Sequence, residues 1–251
     1  MSMSIGLSGL NAATTDINTT ANNVANVKTN GFKNSRVQFG DLVSGQGGIG
    51  VKTQAINQLF QQGTVTQTFN EGQNGQLDLA INGGGFFKVK NVVSDATVDP
   101  PLYTRAGSFH VDAKGFVVNE LGQRLQDKGG ADIQAPASAT AGLFASVASI
   151  APDGTVTFND AAPTTVTVGI FNFPNLEGLQ AVGNTQWAAT STSGAEVVVT
   201  APEVMGGFLE DSNVDLTAQL VNMIIAQRNF QANAQTITTN NTMTQTIINI
   251  R

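Results

Sequence analysis

The chain has 251 residues, of which 41% are hydrophobic and only 12% charged, with a formal net charge of -6. That length and composition exclude a disordered polymer and allow a sizeable core, while the acidic balance leaves no basic footprint for nucleic acid or an anionic membrane surface. The absence of cysteine excludes disulfides, thiolate metal sites and a cysteine nucleophile.

Residues 2–27 are predicted to form a helix. Ile5, Leu10, Ala13, Ile17, Ala21, Val24 and Val27 recur mostly at three- and four-residue steps, which makes one apolar stripe. Asp16 is the only charge in that stretch, and no basic residue precedes Lys28. A cleaved secretory signal needs a basic start, so none is expected. No segment reaches the ~18 apolar residues of a membrane span, and no membrane insertion is expected. Thr29-Asn30-Gly31 ends the helix, with Gly31 suited to a left-handed cap.

Residues 31–75 read as an extended linker region. Within it Gly45-Gln46-Gly47-Gly48-Ile49-Gly50 has the G-x-G-x-x-G spacing. A dinucleotide site would need a helix opening at its end, and no helix cap follows. The motif is expected to be a flexible loop that acts as a compliant joint.

Residues 76–212 have a β texture. Runs at 76–81, 86–93, 108–111, 116–118, 155–158, 164–173 and 196–200 stand between glycine- and aspartate-rich turn signals. They suggest an antiparallel sandwich or irregular barrel; residues 131–151 carry no clear signal. Gly83-Gly84-Gly85 leads into Phe86-Phe87 with no lysine behind it, so it reads as a tight turn into a core strand and not a phosphate loop. His110 is the one histidine, placed by alternation on the solvent side of its strand. Glu71, Asp78, Asp95, Asp99, Asp112 and Glu120 show no spacing that marks a catalytic pair. No catalytic residue, metal site or cofactor is expected.

Residues 213–250 form a second predicted helix, with Ser212 or Asn213 as N-cap and Asp215 at the positive end of the dipole. Leu216, Leu220, Met223, Gln227, Phe230, Ala234, Ile237, Asn241, Thr244 and Ile248 alternate four- and three-residue steps, a heptad seam. Arg228 is the only charged residue between Leu216 and Ile250, whereas a coiled coil exposed to water usually carries charges beside its seam. The expected architecture is α+β. Residues 1–30 and 213–251 would pair as a discontinuous coiled-coil domain bracketing an antiparallel β-rich domain at 76–212.

The run Ala21-Asn22-Asn23-Val24-Ala25-Asn26-Val27-Lys28-Thr29-Asn30-Gly31-Phe32-Lys33 resembles the N-terminal signature of bacterial flagellar rod and hook proteins. Ser212-Asn213-Val214-Asp215-Leu216-Thr217 and Gln227-Arg228-Asn229-Phe230-Gln231-Ala232-Asn233 are similar to the family's C-terminus. Leu77-Asp78-Leu79-Ala80-Ile81-Asn82-Gly83-Gly84-Gly85 and Tyr103-Thr104-Arg105-Ala106-Gly107 are similar to its β-domain motifs.

The resemblance implies a structural subunit that polymerises with copies of itself into a helical tube transmitting motor torque. Its implied partners are neighbouring axial proteins of the rod, hook cap and hook–filament junction, and the type III export apparatus. Its implied location is the basal-body rod or the extracellular hook, reached without a cleaved signal. The implied coiled-coil seam is Leu10, Ile17 and Val24 against Leu216, Leu220, Met223, Phe230, Ile237 and Ile248. The family-signature polar and turn residues are Asn22, Asn23, Asn26, Gly31, Phe32, Gln227 and Arg228.

The C-terminal wording and the short stretch between Leu42 and Gly50 favour the hook, while the overall length favours the distal rod; the hook is the first expectation. A secreted β-rich binding module is the expectation from another class.

Overall fold

The computed structural model describes residues 2–44, 47–68, 76–93, 97–98, 100–137, 144–145, 147–159 and 164–250. The chain divides into two compact units. A helical unit comprises Met1–Val27, Lys33–Leu59 and Val214–Arg251; a β unit comprises Lys28–Phe32 and Phe60–Asn213. The two helices at the chain ends and the antiparallel β-rich middle make the α+β class expected from the sequence.

In the helical unit, α1 spans Ser2–Ala25 and α2 spans Leu216–Asn249. Asp215 is the N-cap of α2, not Ser212 or Asn213. Its carboxylate accepts hydrogen bonds from the Thr217 and Ala218 amides at 2.8 and 3.2 Å, where helix donors lack partners and the dipole favours negative charge. The stretch expected as a linker instead folds partly into a hairpin: β1, Ser35–Ser44, pairs antiparallel with β2, Gly47–Gln58. It leans on α1, and the Val51 amide donates to Ser8 Oγ at 3.2 Å.

Val37 of β1 is buried, but Phe39, Val43, Ile49 and Ile56 stay exposed. Gly47, Gly48 and Gly50 of the glycine motif lie in β2, with no helix behind them; Gly45 and Gln46 fall outside the described residues.

The β unit is built on a twisted antiparallel sheet. From one edge its described strands run Gln180–Gly183, Gln186–Ala188, Leu102–Thr104, Phe86–Lys90, Arg124–Leu125, Val117–Asn119, Ser108–Val111, Gln76–Asn82 and Glu203–Gly206. Ile170–Asn172 pairs with Phe86–Lys90 and with Val197–Val198. A separate three-stranded sheet contains Val147–Ile150, Thr155–Phe158 and Thr165–Thr167.

Successive strand residues point to opposite faces, and both faces of the main sheet are covered. Phe87 joins Leu77, Leu79, Phe109, Leu125 and Phe158 in one core; Phe86 joins Tyr103, Phe171, Phe173 and Trp187 in another. The second is an aromatic cluster with edge-on contacts, Tyr103 to Phe173 at 4.7 Å and Phe86 to Trp187 at 5.5 Å between ring centres.

Turn carboxylates in this unit serve the backbone. Asp112 accepts from the Lys114 and Phe116 amides, and Asp127 from those of Gly129 and Ala131. Asp78 is buried and accepts from the Thr68 hydroxyl at 2.6 Å. Glu71, Asp95 and Asp99 lie outside the described residues.

Candidate assembly surface

The two helices meet along a face that only partly matches the one their large apolar residues mark. Gly6, Gly9, Ala13, Asp16, Thr20 and Asn23 follow three- and four-residue steps down α1, and Gly6, Ala13, Thr20 and Asn23 are buried. Gln219 and Ala226 are the buried residues of α2, with Met223, Asn233, Ile237 and Asn240 half-buried on the same heptad line. The glycines let the backbones approach closely. A methyl group on Gly6 would lie 2.9 Å from Ile237 Cγ1, and one on Gly9 2.5 Å from Asn233 Oδ1.

Asn23 locks this pairing. Its Nδ2 donates to the Ser35 carbonyl at 2.8 Å and to Gln219 Oε1 at 3.2 Å, while its Oδ1 accepts from the Ser35 amide at 2.9 Å. One amide therefore ties α1, α2 and β1 together. Asn26 donates to the Asn22 carbonyl and closes the last turn of α1. Asn22, Gln227 and Arg228 are exposed and Phe32 is half-buried. Gly31, in the β unit, has a φ of +70°, and a Cβ there would sit 2.5 Å from the Ala106 backbone nitrogen, so both conformation and space demand glycine.

The seam read from periodicity is thus redistributed. Met223 and Ile237 are half-buried on α2, as are Leu10, Ile17 and Val24 on α1. Leu216, Leu220, Phe230 and Ile248 are exposed in the single chain, because α1 presents small and polar residues to α2 and the contact turns toward Gln219, Ala226 and Asn233. Met3, Ile5, Leu7, Val221, Ile224, Ile225, Met243 and Ile247 are exposed as well, and Ile250 is 81% exposed. A stable monomer rarely leaves so many large apolar side chains in water.

The polar residues on these helices demand little from outside. Thr14, Thr15, Thr236, Thr239, Thr242, Thr244 and Thr246 each donate to the carbonyl four residues earlier. Their hydroxyls are satisfied within the helix, so a neighbour can cover them without leaving unpaired donors.

Other groups singled out by the sequence have structural partners. Among the described residues there is no group of three His, Cys, Asp or Glu that could hold a metal ion. His110 is half-buried on its strand. The Gly83 amide donates to Gln62 Oε1 at 3.0 Å and its carbonyl accepts from Arg105 Nη2 at 2.5 Å, so this turn is engaged by the protein itself.

A buried ion pair went unread in the sequence: Arg105 Nη1 stands 2.9 Å from Glu210 Oε2, with both side chains buried. Glu210 Oε1 also accepts from the Gly63 amide at 2.9 Å. Burial pushes the Arg105 guanidinium below its usual range, and Glu210 opposes that shift. In the aromatic cluster Glu196 accepts from the Tyr103 hydroxyl and pairs with Lys88 at 2.6 Å; burial and this carboxylate push the Tyr103 phenol up.

Terminal helices that flank a β unit in the chain, paired through a small-residue seam and edged by uncovered aliphatic side chains, have the features of an assembling subunit. Three family profiles match in chain order. The family described as flagella basal body rod protein matches residues 3–33. The flagellar hook protein FlgE/F/G D1 domain matches residues 80–158, and the flagellar basal body rod FlgEFG protein C-terminal matches residues 205–250.

The flagellar basal-body rod protein FlgG of Bacillus subtilis strain 168 is 34% identical over 268 aligned positions, covering 98% of this chain and 97% of the relative. That of Agrobacterium fabrum is 30% identical, with 94% of each covered. The flagellar hook protein FlgE of Salmonella typhimurium is 27% identical over an alignment of 413 positions. The chain belongs to the bacterial flagellar rod and hook family of axial structural proteins.

Proposed function

We propose that the chain is a distal-rod-type subunit that polymerises into a helical tube and carries motor torque. The observation that carries this choice is length. The FlgG relative aligns over 268 positions with almost nothing left over on either side, whereas the FlgE relative requires 413 positions to accommodate a chain of 251 residues. This difference outweighs, in this reading, the C-terminal wording and the short stretch between Leu42 and Gly50 that favour the hook.

The tube itself follows from the uncovered faces of α1 and α2. Each would be covered by the helical units of neighbouring copies, through a contact that repeats without closing. Leu216, Leu220, Phe230 and Ile248 become contacts between subunits, and Met223, Ile237, Leu10, Ile17 and Val24 line the contact within one. Neighbouring axial proteins would dock on the same faces at the two ends of the segment. Export would pass through the flagellar type III apparatus.

The hook, the first expectation from the sequence, is the second reading. The FlgE alignment spans 100% of this chain, and Asp215-Leu216-Thr217 and Arg228-Asn229-Phe230 resemble hook wording. Electron microscopy of basal bodies from a deletion strain separates the two. The rod reading predicts an incomplete rod; a complete rod without a hook would overturn it in favour of the hook.

A further inference from the structure

We infer that Asp16 and Arg228 form an ion pair between two copies of the chain, Arg228 of one copy entering the cavity beside Asp16 of the next. Between residues 2 and 25 the only charge is Asp16, and between residues 216 and 249 the only charge is Arg228. Two opposite charges on an otherwise uncharged helical surface need a reason, since most positions there are Asn, Gln, Thr or aliphatic.

Asp16 is half-buried at the wall of a cavity of about 320 Å³ within the helical unit, beside Thr20, Arg36, Gln219 and Asn222. Among the described residues no cation lies within ion-pair distance of it; Arg36 lines the same cavity from β1 without closing a pair. Burial pushes the Asp16 carboxyl up from its usual range, with no cation opposing the shift. A carboxylate held this way is a liability in a lone chain and an anchor once a cation arrives. Room for a side chain is already present.

Arg228 supplies the complement. It is exposed, makes no ion pair among the described residues, and stands one turn beyond the exposed Ile224 and Ile225. A guanidinium is weakly hydrated and bonds a carboxylate through two parallel donors, so it enters a partly buried contact at less cost than an ammonium.

Position also favours a second copy. Gly6 faces Ile237, Gly9 faces Asn233 and Asn23 bonds Gln219. That antiparallel register sets Asp16 level with Ala226, so Arg228 lies about 3 Å further along the axis, two residues at 1.5 Å each. Arg228 is nevertheless off the heptad line of Gln219, Met223, Ala226 and Asn233. The two charges thus sit at nearly one level of the helical unit, and a lateral neighbour brings them together with little axial offset. On a surface of aliphatic and neutral polar groups, one such pair sets the register in which copies engage.

This inference rests on the polymer reading, and the test separates the two. Full-length Asp16→Arg, Arg228→Glu, the double variant and wild type are each concentrated, and polymer is measured by sedimentation, with circular dichroism as a folding control. The expected result is that wild type and the double variant pellet, that each single variant pellets at least tenfold less, and that an equimolar mixture of the two singles pellets again. Where the two singles alternate in the mixture, every contact is either Asp16 with Arg228 or its reverse.

Singles that assemble like wild type would overturn the pair alone. Recovery in the double variant but not in the mixture would place the pair within one chain and also overturn it. Wild type that stays soluble at every concentration would defeat the polymer reading first. Should a swapped single misfold, Asp16→Asn and Arg228→Gln replace it: each is expected to raise the concentration needed for assembly about tenfold, and an unchanged threshold in both would count against the pair.

Discussion

The two units of the chain solve opposite problems. The β unit closes on itself: Phe86 and Phe87, adjacent in sequence, fill two cores on opposite faces of one sheet, and the charge of Arg105 is met by Glu210 in the interior. The helical unit does not close. Of the residues in α2 only Gln219 and Ala226 are buried, and its leucines and all its isoleucines but Ile237 are exposed. A helix draws most of its stability from packing an apolar face. The difference teaches that the β unit is finished within one chain, whereas the helical unit leaves faces open that the proposed assembly would cover.

The largest effect that would break this contrast comes from charge on the uncovered face. Leu220→Asp or Phe230→Asp should abolish polymer formation, measured by sedimentation, and leave the melting of the β unit unchanged, since both residues are exposed on α2 and neither belongs to that unit. Normal polymerisation of both variants would mean that this face is not a contact. Next in size is Glu210→Ala. It strands the Arg105 guanidinium in the interior and should cost the β unit about 3–5 kcal/mol in chemical denaturation. An exposed pair would give less than 1 kcal/mol by the same measurement.

A smaller effect is expected from Asp215→Ala, which removes the acceptor for the Thr217 and Ala218 amides. It should lower α2 helicity by the equivalent of about 1 kcal/mol in circular dichroism of the soluble chain. The smallest concerns pH. Burial raises the folded-state value of Asp16 above that of the unfolded chain, so folding favours the protonated form. Its contribution to helical-unit stability is therefore full below the ordinary aspartate range and is lost as pH rises through the raised value. Asp16→Asn should flatten that slope in melts of the soluble chain; a slope that persists would assign it to another group.

Much of the fold was legible because local signals agreed with tertiary ones. The helix stripes, the glycine turns and the alternating runs at 76–81 and 108–111 all became the elements they suggested. The hairpin of β1 and β2 was not legible. Its strands keep Phe39, Val43, Ile49 and Ile56 exposed, so they lack the one-sided apolar pattern that marks a strand over a core. Short strands such as Arg124–Leu125 and Gln186–Ala188 carry too few residues for a period to show.

At the assembly surface the sequence revealed the spacing of a seam but not its direction. Periodicity tracks large apolar residues, and here Leu216, Leu220 and Ile248 among them stay exposed; the pairing within the chain also uses Gly6, Gly9, Ala13 and Asn23, which a hydrophobic pattern overlooks. The signal that could have found it is the glycine and alanine line itself, at the same three- and four-residue steps. The Arg105–Glu210 pair is far apart in sequence, and nothing local announces it.

Amide hydrogen exchange, compared between the soluble chain and its polymer, tests the central claim most directly. The account predicts that α1 and α2 exchange readily in the soluble chain and become strongly protected in the polymer, while strands such as Phe86–Lys90 and Leu102–Thr104 are protected equally in both. Helices already as protected as those strands in the soluble chain, and unchanged on assembly, would contradict it.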